Sequence, residues 1–592
     1  MNGERRYFLD VARSACGVAW EHRLDARQEN VALAIAQEHG VPDLIARVLA
    51  GRNVAAADAM RFLDPTIRDL LPDPASLTDM GKAAARIVQA VLRREKVAIF
   101  GDYDVDGASS SAMLARFLRH HGLQAEIYIP DRIFEGYGPN PDAMRELVAR
   151  GARLIVTVDC GTNSAPSIAA ANEAGADVVV LDHHQVGGEL PAAVAVVNPN
   201  REDDLSGQGQ LCAAGVTFLA LVEVARQLRV EGRSGPDLLS FLDLAALGTV
   251  CDVVPLAGVN RAFVVKGLLA MRRMENAGIA ALARAARIGE PLAAFHLGFL
   301  LGPRINAGGR IGDAALGARL LSCDDPAEAA SIAETLERLN QERQDMEQAM
   351  LAEARAEADA ELAAGEGPAV LVTASESWHP GIVGLIAARL KEHARRPAFA
   401  IFFNANGIGT GSGRSIPGFD LGRLVREAHE RGLIVKGGGH AMAAGITVER
   451  GKLGALRAFF EERAGDAVFR LRNEEKLKID AALSAEGVTL DLCDALEQAG
   501  PYGSGHPAPV LALPRHRIAD IRIVGNGHLR VELRSESGGR VSAMAFRAAE
   551  SDLGRFLFGK VGQSVHVAGN ISTNHWNGMR SAQFRISDAA EA

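Results

Sequence analysis

Residues 97–113 read VAIFGDYDVDGASSSAM. A short apolar run of β-forming residues gives way to Asp102, Asp104 and Asp106, at alternate positions, and then to Gly107. Carboxylates packed this closely repel one another unless positive charge sits among them. A calcium loop, a solvated acidic turn and half of a catalytic metal site all begin in this way. The calcium loop fails at its twelfth position. Counted from Asp102 the glycine is in place, but Met113 stands where a bidentate glutamate is needed.

The neighbouring segments weigh against a mere acidic turn. From about 82 to 265, β-type runs alternate with Ala-rich helical stretches: KVAIF (96–100), AEIYI (125–129), RLIVTV (153–158), ADVVVL (176–181) and AVAVV (193–197). Strands alternating with helices predict an α/β, doubly wound parallel sheet. Ligands bind beyond the carboxyl ends of such strands. LIVTVDCG ends in Asp159, VVVLDHH in Asp182, His183 and His184, and LAALGTVCDVVP reaches Asp252. Four segments therefore deliver Asp or His to one edge, which is the pattern of a metal site. Carboxylates with a few imidazoles suit Mn²⁺ or Mg²⁺, the imidazoles favouring Mn²⁺. The acids outnumber the needs of one ion. Two ions ~3.5–4 Å apart, bridged by a carboxylate and a hydroxide, would use them all and would clamp a phosphoryl group.

The 592 residues are enough for about three to five domains at roughly 100–200 residues each. The net charge of −9 argues against a surface coated for non-specific nucleic-acid binding, though not against a local basic channel. Cysteines 16, 160, 212, 251, 323 and 493 are scattered with no CxxC pair, which argues against a disulfide framework or a cysteine zinc site and suits a reducing, cytoplasmic setting. No signal peptide and no membrane span are expected.

Residues 1–80 read as a helical N-terminal region, 81–320 as the α/β unit with the acids, and 321–365 as one long connecting helix, free of Gly and Pro after Pro326 up to Ala364. A second α/β lobe follows at 366–470, with PAVLVTA and AFAIFF as strands. A β-rich tail occupies 471–592. Between 515 and 587 the tail carries 11 Lys/Arg against 5 Asp/Glu. A small basic β-barrel is how an OB-fold looks from sequence, and OB-folds track single strands. Trp576, in an expected loop, is a candidate for stacking a base.

In their order, DxDxDG, DCG, DHH and GTVCD closely resemble the DHH phosphoesterase superfamily. RINAGGR (304–310), WHPGIVG (378–384), GSGRS (411–415) and GGGHAMAAG (437–445) are similar to the remaining motifs of its bacterial single-strand-specific 5′→3′ exonucleases. The resemblance covers roughly residues 30–590. It implies a two-lobed core of a DHH domain and a DHHA1-type lobe, joined by the long helix and followed by an OB-fold. It implies hydrolysis of single-stranded DNA to 5′-mononucleotides in repair and recombination, with two divalent ions, Mn²⁺ preferred and Mg²⁺ accepted. By the same resemblance Asp104, Asp106, Asp159, His183 and Asp252 are the metal ligands, Asp159 bridges, and His184 faces the scissile phosphate. Asp102 is a ligand or lies just behind one. Smaller relatives carry a histidine where Phe100 stands, so the first metal's shell must be completed differently here. Arg304, Asn306, Arg310, Arg414, Ser415 and His440 are the expected phosphate or DNA contacts, Arg414 and His440 in Gly-rich loops. Trp378 either packs in the core or stacks a base. A monomer is implied, with a single-strand-binding protein and a helicase as partners. The alternative is a phosphodiesterase of the same superfamily acting on short oligonucleotides or cyclic dinucleotides, for which the tail is superfluous.

Overall fold

The computed structural model describes residues 7–131, 135–136, 138–363, 366–576 and 579–592. Two compact units emerge: one of residues 71–254 and 262–472, the other of residues 1–70, 255–261 and 473–592.

The first unit is built on a five-stranded, all-parallel sheet: β1 (Val97–Gly101), β2 (Glu126–Tyr128), β3 (Leu154–Val158), β4 (Asp177–Leu181) and β5 (Ala195–Val197), in the order β2-β1-β3-β4-β5. Every residue of β1 and β3 is buried. Helices cover both faces, so these strands are continuously apolar and do not alternate. The helices that matter for the site are α1 (Val105–His120), α2 (Ala213–Val230), α3 (Leu242–Cys251) and α4 (Gly302–Ile311). The segment before Asp252 is thus helical and not a strand. Its run of apolar residues is long enough for a helix, and it packs against α1 and α2.

The long connector is α5 (Pro326–Ala363). It is bonded to both sides of this unit: Glu337 pairs with Arg304 of α4, and Glu347 accepts from Arg389 at 3.3 Å. Trp378 is buried, its Nε1 donating to Glu353 at 2.8 Å, so it is a core anchor of α5 and not a free stacking surface.

The second lobe of this unit has strands β6 (Leu371–Ser375), β7 (Ala398–Phe403), β8 (Ile408–Arg414), β9 (Lys436–His440) and β10 (Ala443–Glu449), ordered β9-β10-β8-β7-β6. The Gly-rich motifs expected as loops are strands here. Gly409, Gly411 and Gly413 lie opposite Phe403, Ile401 and Phe399. A Cβ at any of the three would collide with the facing side chain. The glycines therefore serve strand pairing beneath bulky neighbours.

The other unit contains a closed five-stranded barrel: β11 (Leu511–Val524), β12 (His528–Arg534), β13 (Arg540–Ala545), β14 (Ser564–Trp576) and β15 (Met579–Glu591). They run β11-β12-β13-β15-β14 and close through β11–β14. Helix α6 (Asp552–Gly559) lies between β13 and β14. The N-terminal segment belongs to the same unit. Its strand Ala19–His22 pairs in parallel with Lys476–Ile479, and fully buried Trp20 donates to Asp588 of β15 at 2.9 Å.

Candidate metal centre

Each acidic residue is held by a specific local device. Asp104 caps α1, its carboxylate accepting from the N–H groups of Asp106 at 2.9 Å and Gly107 at 3.1 Å. Asp106, in the first turn of α1, is buried and reaches the start of α2, where it accepts from the N–H of Ala213 at 2.6 Å and Ala214 at 2.8 Å. Those two groups are orphan donors, and Cys212 offers them no side-chain cap. Two glycines allow this approach. A Cβ at Gly107 would lie 2.5 Å from the Asp102 carbonyl oxygen, and one at Gly248 would lie 2.7 Å from Asp106 Oδ1.

Asp159 follows β3 with φ of 60°, a left-handed conformation rare outside glycine, and its side chain is buried. Such strain persists only where the surroundings over-determine it, and it concentrates at functional sites. Asp252 caps the C-terminal end of α3, its N–H donating to Gly248 O at 2.9 Å.

The histidine pair is fixed by Asp182. Its Oδ1 accepts from the backbone N–H of His183 at 2.7 Å and of His184 at 3.2 Å, and lies 2.7 Å from His184 Nδ1. Its Oδ2 accepts from Thr162 N–H at 3.0 Å. His184 Nδ1 is thereby held by Asp182. Two asparagines beyond β5 complete the clamp. Asn198 donates to Thr162 Oγ1 at 2.9 Å and His184 O at 2.8 Å, while Asn200 donates to His183 O at 2.5 Å. Asp182, Thr162, Asn198 and Asn200 carried no assigned role in the sequence reading. Asp182 and Asn198 directly follow β4 and β5, Asp182 as the first residue of DHH, whereas Thr162 and Asn200 sit further along their loops, where nothing in the sequence marks them.

The result is three overlapping donor groups: Asp102, Asp104 and Asp159; Asp106, His183 and Asp252; and Asp159, His183 and His184. Within each, the ligand atoms lie inside 4.8 Å of one another. His183 Nε2 lies 3.3 Å from Asp159 and 3.9 Å from Asp106, and its Nδ1 lies 3.7 Å from Asp252. Burial, reinforced by the neighbouring carboxylates, raises the carboxyls of Asp106 and Asp159, and pushes Asp252 up to about 9. Burial opposes ionisation of Asp182, yet its bonds to His184 and Thr162 hold it below the ordinary range. His184 is pulled down by burial but raised overall by Asp182, Asp102 and Asp104. A cluster of buried carboxylates that resists ionisation on its own fits divalent cations. The donor set, oxygen with imidazole and no thiolate, fits Mn²⁺ or Mg²⁺.

The expected DNA contacts are arranged less uniformly. Arg304 is mostly buried, pairing with Glu337 and donating to Leu300 O at 2.7 Å. Arg310 donates to Gly381 O at 3.0 Å, which ties α4 to the second lobe. Asn306 has a buried Oδ1 that accepts no hydrogen bond from the described residues. Arg414 Nη1 donates to Ser412 Oγ at 3.0 Å and Gly413 O at 2.9 Å. Ser415 is buried and its hydroxyl donates to Phe419 O at 2.8 Å, so it serves the lobe's own turn. His440 is exposed at the end of β9. Partial desolvation of its ring and the Arg414 cation lower its pKa, opposed by Asp420. Trp576 closes β14, and its side chain lies outside the described residues.

Three family models match the chain: the DHH family N-terminal domain over residues 96–249, the DHHA1 domain over 367–466 and the RecJ OB domain over 479–588. The chain is 36% identical over 563 residues to the single-stranded-DNA-specific exonuclease RecJ of Dickeya dadantii, covering 92% of this chain and 96% of that protein. It superposes on the crystal structure of Thermus thermophilus RecJ with Mn²⁺ at a TM-score of 0.78 and 29% identity, over 96% of this chain and 78% of that one. The Mg²⁺ complex of the same protein gives 0.73, at 29% identity over 96% and 77%.

Proposed function

This chain belongs to the RecJ family of single-stranded-DNA-specific exonucleases, and from that premise we propose that it removes 5′-mononucleotides from single-stranded DNA in the 5′→3′ direction, using two divalent ions and favouring Mn²⁺. It is a metal-dependent hydrolase of the DHH phosphoesterase type. The observation that carries the two-ion reading is the sharing of donors: Asp159 and His183 each belong to two of the three ligand groups. Asp102 and Asp104 would hold one ion with Asp159, and Asp106 and Asp252 would hold the other with His183. When bound, the ions supply an electrophilic clamp on the phosphoryl group and the means to ionise water at neutral pH.

The chain's own residues do the rest. Asp182 orients His184 so that its Nε2 meets the scissile phosphate. Arg414 and His440 hold the phosphate from the second lobe. The barrel binds the single strand. We read the protein as a cytosolic monomer acting in repair and recombination.

Single strands labelled at either end, free or annealed to a complement, are incubated with Mn²⁺. Stepwise release from the 5′ end of the free strand alone is expected, and Asp159→Ala should abolish it. Release from the 3′ end, full activity of Asp159→Ala, or strong preference for a dinucleotide overturns the reading.

A further inference from the structure

Phe295 and Phe299 carry phenyl rings whose centroids are 5.0 Å apart and whose planes differ by 23°. They are 57% and 69% exposed. Single exposed apolar residues need no explanation, but a parallel aromatic pair held open to solvent does. The backbone beneath them is firm. The His296 ring accepts from Ala293 N–H at 3.0 Å and faces Glu290 at 3.2 Å. Leu297–Leu301 is a single π-helical turn that leads directly into α4. Such turns re-aim side chains and are frequent at functional sites.

Another side of the same turn is seated on the scaffold of the metal centre. A Cβ at Gly298 would meet Val250 at 3.5 Å; one at Gly302 would meet Cys251 Sγ at 2.8 Å and Val105 at 3.7 Å. Val105 separates Asp104 from Asp106, and Cys251 precedes Asp252. Phe299 is three residues from Gly302, about 4.5 Å of helix rise.

We infer that Phe295 and Phe299 form a stacking platform for a nucleobase of the strand whose phosphodiester lies at the metal centre; this rests on the exonuclease reading above. The pair is uncharged and so offers a phosphate nothing, whereas every nucleobase has an apolar π face. The turn that carries it packs on the two segments that bear Asp104, Asp106 and Asp252. Stacking is indifferent to sequence, as an enzyme advancing along arbitrary DNA requires.

The test compares a base-bearing single strand with an abasic strand of equal length, using the full chain and Mn²⁺. In the wild type the abasic strand should show a KM about tenfold higher, in line with the loss of one stacked base. Phe295→Ala with Phe299→Ala should raise the KM of the base-bearing strand and close that gap, while Phe299→Trp keeps it. A 2-aminopurine beside the scissile bond should be quenched by the wild type and not by the double variant. Equal KM values in the wild type, or an undiminished gap in the double variant, overturn the platform and leave the rings to a protein partner. If the double variant fails to fold, Phe299→Leu makes the same comparison, and a full gap there also overturns it. Cleavage of neither strand by the wild type means that the exonuclease reading itself has failed.

Discussion

At the scale of single residues, the acids announce themselves and their supports do not. Asp102, Asp104 and Asp106 are conspicuous because like charges at alternate positions demand an explanation. Asn198 is not, because an asparagine after a strand is ordinarily a turn residue. It is fully buried and bonds the loops after β3 and β4 together. Replacing it with Ala should weaken Mn²⁺ binding by about 10–100-fold, the usual cost of losing a group that orients a ligand. Calorimetric titration of the metal would show this, and an unchanged affinity would refute it. His506 makes a second residue-scale case. It is buried against Tyr502 and Phe62, its Nε2 lies 2.8 Å from Ala499 O, and burial lowers its pKa to about 4. The unfolded imidazole takes up a proton below about 6.5, the folded one only near 4. Stability is therefore undiminished above pH 6.5 and falls as the pH drops toward 4, by roughly 3 kcal/mol in all. Urea unfolding across that window should show a steeper acid limb than in His506→Gln; equal limbs would refute the assignment.

At the scale of elements, the glycines of GSGR misled because a glycine run has two physical uses. It can make a loop that turns N–H groups toward an anion, or it can make room for a bulky neighbour. Only the pairing of Gly413 with Phe399 decides between them. Gly413→Ala should destabilise the first unit by about 1–3 kcal/mol through overpacking. A second substitution, Phe399→Leu, should recover part of the loss in thermal unfolding. The barrel holds another element-scale feature. Arg517 lies opposite Arg534, which lies opposite Arg540; Arg522 lies opposite Arg530. All five are exposed. Arg522 and Arg530 are met by Asp520 at 2.7 Å and Glu532 at 3.4 Å; like charges placed directly across a sheet are destabilising, so an external anion is the natural complement of the Arg534–Arg540 pair. Arg534→Ser with Arg540→Ser should reduce the salt dependence of single-strand binding by a slope of about 1.4, at ~0.7 per phosphate contact, without lowering the melting temperature. An unchanged slope would move the strand to another face.

At the scale of the molecule, the chain does not divide where its composition changes. Residues 255–261, which follow Asp252 almost at once, belong to the barrel's unit along with residues 1–70. Arg261 is the rivet of that short segment. It is buried over the Phe62 ring at 3.8 Å, and it donates to Phe62 O at 2.7 Å, Ala499 O at 2.9 Å and Gly500 O. Burial lowers its pKa to about 10, so it remains a cation at neutral pH. Arg261→Met strands several buried carbonyls and should cost about 3 kcal/mol. Scanning calorimetry should show the loss in the transition of the barrel's unit, with the other unit's transition unmoved. A loss confined to the other unit would refute the division.

The sequence alone determined the parallel sheet, the long connector, the barrel and the set of acids, because period, composition and charge are local quantities. Which donors lie within reach of one another, which arginines turn inward, and which glycines are spacers were decided only in three dimensions. Each depends on what a distant segment places opposite, as Ala213 and Gly248 do for Asp106. Spacing along the chain carries no record of that partner.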